Sequence, residues 1–201
     1  MRTYKFVYEK PKPSKDSGLI YLFCEGQNSE PNYFNYFKRK SSRLNLYIVP
    51  FPENGNNSHI GLFNYCIDVI KNENTDYDAG LDSVWLCFDT DDKTEEIIKL
   101  KQQISKLDFP INIAQSNRSF EVWLYYHFFE TAPIENIENW KQHLNQCIPG
   151  GFNFRNHPEK VEKAIEHAKK NYVEDDYQQP SMNNTNVFNL VHLILEKLKN
   201  A

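Results

Sequence analysis

Two short apolar runs in this chain end abruptly in acids. LIYLFC (19–24) runs into Glu25, and VWLCF (84–88) runs into Asp89, Asp91 and Asp92. Carboxylates are hard oxygen donors. One or two of them, with waters and substrate phosphate oxygens, suit Mg2+. If the backbone stays extended beyond Asp89, alternation puts Asp89 and Asp91 on the same side, and a carboxylate from a neighbouring strand completes the site. Attack on a phosphodiester needs such a site: its charge repels nucleophiles, and a metal ion neutralises that charge and activates water. Acids after strands also serve as helix caps and turn residues. The pattern occurs twice, each time where an open parallel sheet binds its ligands, and that repetition favours the metal reading.

The elements that must position these acids alternate along the chain. The runs at 19–24, 44–51 (LNLYIVPF), 83–92 and 109–116 (FPINIAQS) read as strands. Between them lie helical patterns at 30–40, with Pro31 in the first turn and Tyr33, Phe34 and Phe37 on one face; at 60–73, with Leu62, Cys66, Val69 and Ile70 in one stripe; and at 94–107, with Ile97, Ile98, Ile104 and Leu107. A polar loop is expected at 52–59. Strand–helix alternation predicts an α/β fold, a parallel sheet with crossover helices. The remainder reads as helical: 120–130, with Phe120, Trp123, Leu124 and Phe128 in phase; 158–172, with Val161, Ala164, Ile165 and Ala168; and about 186–199, with Val187, Leu190, Val191, Ile194, Leu195 and Leu198, capped by Thr185 or Asn186. A polar loop, YVEDDYQQPSMNNTN, joins the last two. The expected organisation is an N-terminal arm (1–18), an α/β core (19–130) and a helical C-terminal extension (131–201) packed on that core.

The chain has 201 residues, with 23 Lys+Arg against 27 Asp+Glu and a net charge of −4. That balance excludes coating of nucleic acid by bulk positive charge, and leaves local patches open. Charge is unevenly spread: 9 basic and 4 acidic residues in 1–52, then 3 basic and 11 acidic in 53–99. Cys24, Cys66, Cys87 and Cys147 show no C-x-x-C spacing, so neither a zinc site nor a disulfide framework is expected. Thiols within apolar runs suit a reducing compartment. With no apolar signal sequence at the N-terminus and no bilayer-length apolar stretch, the expected location is cytoplasmic, without a membrane partner. The chain carries no P-loop, no G-x-S-x-G, no H-E-x-x-H and no dinucleotide fingerprint.

CEGQNSEPNYF (24–34), WLCFDTDD (85–92), SNRSFEVWLYYHF (116–128) and TNVFNLV (185–191) occur in the order seen in RloB-like proteins, and the chain resembles that family from about 19 to 198. The resemblance implies a Toprim, Rossmann-like core with a Glu after the first strand and an Asp-x-Asp after a later one. By motif these are Glu25, Asp89 and Asp91, implied ligands of Mg2+ (or Mn2+). It further implies cutting of RNA or DNA in bacterial anti-phage defence, under control of an ATPase partner. The chain departs from the family pattern at Ser29, where Thr is more frequent, at Thr90, where Arg is usual, and at Arg118, where Pro is usual. The lost and gained arginines bear on substrate contacts, not on the implied metal ligands.

Several residues carry two readings each. Glu121, in the first turn of its helix, either favours the helix dipole or supports the metal site. Asn117 either bonds phosphate or makes the turn before that helix, and Arg118 joins it as a candidate nucleic-acid contact. Lys38, Arg39, Lys40 and Arg43 either clamp a nucleic-acid backbone or complement a helix C-terminus. His127 sits on an apolar stripe and reads first as a satisfied core histidine, second as a general base. Trp123 and Trp140 read as packing residues. Two functions follow: a Mg2+-dependent nuclease, with Glu25 alternatively a general acid/base, or a non-catalytic binding or sensor subunit of an ATPase complex. Homo-oligomerisation stays open.

Overall fold

The computed structural model describes residues 18–52, 58–72 and 75–200. The expected arm, save Gly18, and the middle of the expected loop at 52–59 lie outside the described residues.

The apolar runs form the strands of one sheet. They are β1 (Ile20–Cys24), β2 (Leu46–Val49), β3 (Ser83–Asp89) and β4 (Ile111–Asn117), all parallel, in the order β2-β1-β3-β4. Every residue of β1 is buried, as a parallel strand covered on both faces requires. Alternation sorts the side chains into two cores. Ile20, Leu22, Cys24, Trp85 and Cys87 face one; Tyr21, Phe23, Val84, Leu86 and Phe88 face the other. The second core is closed by α2 (His59–Ile70) and α3 (Thr94–Ile104). Ser58 caps α2, its hydroxyl accepting the Gly61 N–H at 3.0 Å. The first core is closed by α1 (Ser29–Lys38), α4 (Glu121–Tyr125) and three later helices, α5 (Trp140–Cys147), α6 (Val161–Asn171) and α7 (Val187–Lys199). The α/β class with a helical C-terminal portion is therefore observed.

The structure corrects three expectations. The helix expected at 120–130 ends at Tyr125, because His127 and Phe128 N–H turn to carbonyls three residues back, Leu124 at 3.3 Å and Tyr125 at 3.0 Å. The strand expected at 83–92 ends at Asp89, and Asp91 adopts a positive φ of 44°. The polar loop before the last helix contains a two-residue strand, β5 (Asn184–Thr185), antiparallel to β4. Side chains hold β5 in place: Ser116 and Thr185 hydroxyls lie 2.8 Å apart, and Asn186 Oδ1 accepts the Gln115 N–H at 2.6 Å. The C-terminal portion thus contributes to the sheet as well as to its core. Among the described residues, no helix is long and apolar enough to cross a membrane.

Candidate functional site

The strand order reverses at β1. Its neighbours β2 and β3 lie on opposite sides of it, so the topology puts the position where open α/β sheets bind their ligands, here called the crevice, beyond the carboxyl ends of β1 and β3. Cys24 pairs with Cys87 in register, and the next residues out are Glu25 on one strand and Asp89, two along, on the other. The Glu25 N–H donates to the Cys87 carbonyl at 2.9 Å, continuing the ladder. The Asp89 N–H then donates to Glu25 Oε2 at 3.3 Å. Two acids far apart in sequence thereby become neighbours.

Their surroundings differ. Glu25 leans toward α2 and α3. Its Oε2 lies 3.6 Å from His59 Nε2 and its Oε1 3.6 Å from Lys93 Nζ. Asp89 has the strand parity of Cys87 and feels the acids of the other face. Its carboxyl is held well above the usual range, first by desolvation, then by the charges of Glu30, Glu121, Glu25 and Asp91. Glu30, at the start of α1, is only 5% exposed. Burial first, then the Glu121 and Glu25 charges, push its pKa up to about 7, against the opposing pull of backbone hydrogen bonds. Its Oε1 accepts the Gly26 N–H at 3.2 Å. A Cβ at position 26 would stand 2.1 Å from Glu30 Oε2, so glycine is required for the carboxylate to fold over the chain there.

Glu25 and Asp89 are brought together, Glu121 stands near enough for its charge to raise Asp89 and Glu30, and Asp91 is only partly gathered with them. The extended backbone that would have placed Asp91 beside Asp89 is absent, and Asp91 is an exposed turn residue whose charge still presses on Asp89. The Asp91 N–H is bonded to the Arg118 carbonyl at 3.2 Å. Arg118 forms an ion pair with Asp92 through its guanidinium, and Asn117 donates from Nδ2 to the Pro180 carbonyl at 2.8 Å. Both sit at the rim of the crevice, engaged with protein. Thr90 is 3% exposed and its hydroxyl accepts from Gln115 Nε2 at 2.8 Å. Position 90 therefore points inward in this chain.

The basic cluster lies elsewhere. Lys38, Arg39, Lys40 and Arg43 are at or beyond the C-terminus of α1, a ten-residue helix whose N-terminus abuts the acids. That separation is about 15 Å. Arg39 Nε donates to the Asn35 carbonyl at 3.1 Å, and Lys40 Nζ sits 4.6 Å from the Tyr36 ring centroid. Closeness in sequence to Glu25 does not become closeness in space. His127 is a satisfied core histidine: 1% exposed, its Nδ1–H donates to the Trp123 carbonyl at 3.1 Å, and Nε2 accepts from Tyr33 Oη at 3.1 Å. Trp123 and Trp140 are buried in the same core.

Glu30, His59 and Lys93 escaped the sequence reading. Glu30 resembled an ordinary first-turn acid, and only the contact between Gly26 and the helix start distinguishes it. His59 opens its helix after Ser58, where a polar residue is unremarked.

The donor set fits Mg2+. It consists of carboxylates, and Lys93 lies within ion-pair distance of Glu25; Asp89 and Glu30 are raised first by burial and then by neighbouring acids, and a divalent cation would relieve the second. Among the described residues, no three His, Cys, Asp or Glu side chains gather closely enough to form a ready-made cage.

The family model described as RloB-like protein matches residues 20–194, nearly the whole described chain. The chain belongs to the RloB-like protein family. In this RloB-like chain the four motifs are also neighbours in space: 24–34 and 85–92 build the crevice, while 116–128 and 185–191 meet as β4 and β5. No curated protein and no solved structure matches the chain significantly.

Proposed function

We propose that this chain is a Mg2+-dependent phosphodiesterase of Toprim type, cutting RNA or DNA as an effector of bacterial anti-phage defence under an ATPase partner. One observation carries the chemical part: Glu25 and Asp89 are adjacent at the point where the strand order reverses, among acids whose charge is left largely uncompensated. The defence setting and the ATPase rest on the family resemblance.

Glu25 and Asp89 would hold the ion, with Asp91 at the open rim. The ion, when bound, supplies neutralisation of the phosphate and a water of lowered pKa. The remaining roles belong to the chain. In the alternative, Glu25 leaves the ion to Asp89 and takes or returns a proton at its carboxylate; in either case Lys93 Nζ beside it offers positive charge to a phosphate oxygen at the half-exposed mouth. Glu121 and Glu30 keep Asp89 in a field that favours cation binding.

The test is incubation of the purified chain with mixed RNA and DNA, with Mg2+ or Mn2+ and then with EDTA, alone and with the neighbouring gene's product. Metal-dependent cleavage that disappears in Glu25→Gln and Asp89→Asn, with circular dichroism unchanged, is the expected result. Cleavage that survives both substitutions would overturn the site. The second reading, a binding or sensor subunit, draws on the exposed apolar residues Ile134, Val173, Tyr177 and Met182. It takes over if neither the chain nor its complex cuts.

A further inference from the structure

His59 has no exposed surface. It stands at the first position of α2, its ring 4.7 Å from that of Phe88. An apolar side chain would fill such a place without the cost of burying a polar ring. What the imidazole adds is polar contact. Nε2–H donates to the Asp89 carbonyl at 2.8 Å, and the same nitrogen lies 3.6 Å from Glu25 Oε2. Nδ1 makes no hydrogen bond. Its nearest acid is Glu96 at 3.8 Å, whose Oε1 already accepts the Ile60 N–H at 3.2 Å. One buried ring is therefore hydrogen-bonded to the main chain of one candidate ligand and lies beside the carboxylate of the other, beyond hydrogen-bond reach.

We propose that His59 is a positioning residue for the metal site: hydrogen-bonded to the Asp89 carbonyl and packed beside the Glu25 carboxylate, its ring holds the end of β3 against Glu25, so that the two acids present their oxygens at a set spacing. This rests on the metal-dependent reading above. Glu25 has three neighbours that could hold it. The Asp89 N–H belongs to the backbone it must be positioned against. Lys93 is 37% exposed and sits on a flexible stem. His59 is rigid, enclosed and anchored to Asp89 itself, so it sets the geometry. Partners of this kind behind a metal's own ligands change metal affinity by about 10–100-fold when removed.

The test measures Mn2+ binding by electron paramagnetic resonance of the free ion, on the full chain without nucleic acid. His59→Phe keeps the ring and removes the donor; His59→Gln restores a donor at similar reach. The expected result is a Kd raised about tenfold or more in His59→Phe and largely recovered in His59→Gln, with no matching order in their thermal stabilities in EDTA. Should His59→Phe fail to fold, His59→Asn, whose shorter amide falls short of the Asp89 carbonyl, takes its place with the same expectation. If Glu25→Gln loses Mn2+ while the folded His59→Phe or His59→Asn binds it like the parent, positioning by His59 is overturned and the metal site stands. If the parent and Glu25→Gln bind Mn2+ equally, or neither binds it, the metal reading falls and this inference falls with it.

Discussion

Glu30 and Tyr33 stand one turn apart on α1, and each meets a buried ionisable group in an opposite condition. Toward the strand ends, Glu30 joins Asp89 and Glu121, where burial and like charge both act against ionisation. Away from them, Tyr33 donates to His127, whose two nitrogens are both partnered and which is ringed by Trp123 and Phe152 at centroid distances of 5.1 Å. The second region is a finished piece of core. The first is arranged against its own stability, and natural proteins keep such arrangements where a ligand repays the cost.

The largest effect that tests this contrast is on activity. Asp89→Asn should lower metal-dependent cleavage by at least about a hundredfold while leaving the fold intact, read by single-turnover assays and circular dichroism. Next, His127→Ala should destabilise by about 4 kcal/mol in urea unfolding. It opens a cavity among aromatic rings and leaves the Tyr33 hydroxyl without a partner. A small change at His127 would show that this pocket is not the stable half of the comparison.

Glu30→Gln should do the reverse, stabilising the metal-free protein by about 3 kcal/mol at pH 8, since its pKa of about 7 exceeds the ordinary 4.5. The pH dependence separates the two regions. Glu30 is raised in the fold, so its contribution is present below pH 4.5 and lost as pH rises through 7. His127 is lowered from 6.5 to about 3, first by burial, so its contribution is present above 6.5 and lost as pH falls toward 3. Between 4.5 and 6.5 the rise from His127 meets two falls, from Glu30 and from Asp89, whose carboxyl is raised as well, so stability in EDTA should fall as pH rises. In Glu30→Gln one of the two falls is removed and the slope should flatten; unfolding midpoints across the range decide it.

Gly26→Ala is the next smaller test, expected to cost about 1 kcal/mol, because the new methyl meets the Glu30 carboxylate, the movable end of its side chain. Glu30→Ala in the same chain should recover most of that loss. If Gly26→Ala costs the same with and without the Glu30 carboxylate, the close approach at Gly26 is not what constrains this turn.

How far the sequence led depends on what each residue needs. The strands were legible because β1 and β3 are buried on both faces and read as unbroken apolar runs ending in acids. Glu25 and Asp89 follow from those ends, since a parallel sheet sets its strand termini side by side. Asp91 misled because periodicity assumes an extended backbone, and the chain turns there. The short α4 misled because its apolar spacing continues to Phe128, while contacts with α1 and the chain around Phe152 tighten the last turn. β5 carries no apolar run. It is held by Ser116, Thr185 and Asn186 hydrogen bonds, which no pattern of hydrophobicity records. Glu30 and His59 matter through contacts across the fold, beyond the reach of local spacing.

The smallest expected effect concerns the far end of α1. Arg39 closes its own helix through the Asn35 carbonyl, and Lys40 is exposed over Tyr36, so removing either should change stability by less than about 0.5 kcal/mol. The comparison is sharpened by what happens to substrate. If this end of α1 only completes the helix, Arg39→Ala and Lys40→Ala should leave kcat/KM within about twofold and the salt dependence of nucleic-acid binding unaltered. A phosphate clamp would lose about one unit of that salt slope for each charge removed. With the acids a helix length away, a substrate reaching both ends would have to run along α1, and a slope that falls with each substitution would establish that path.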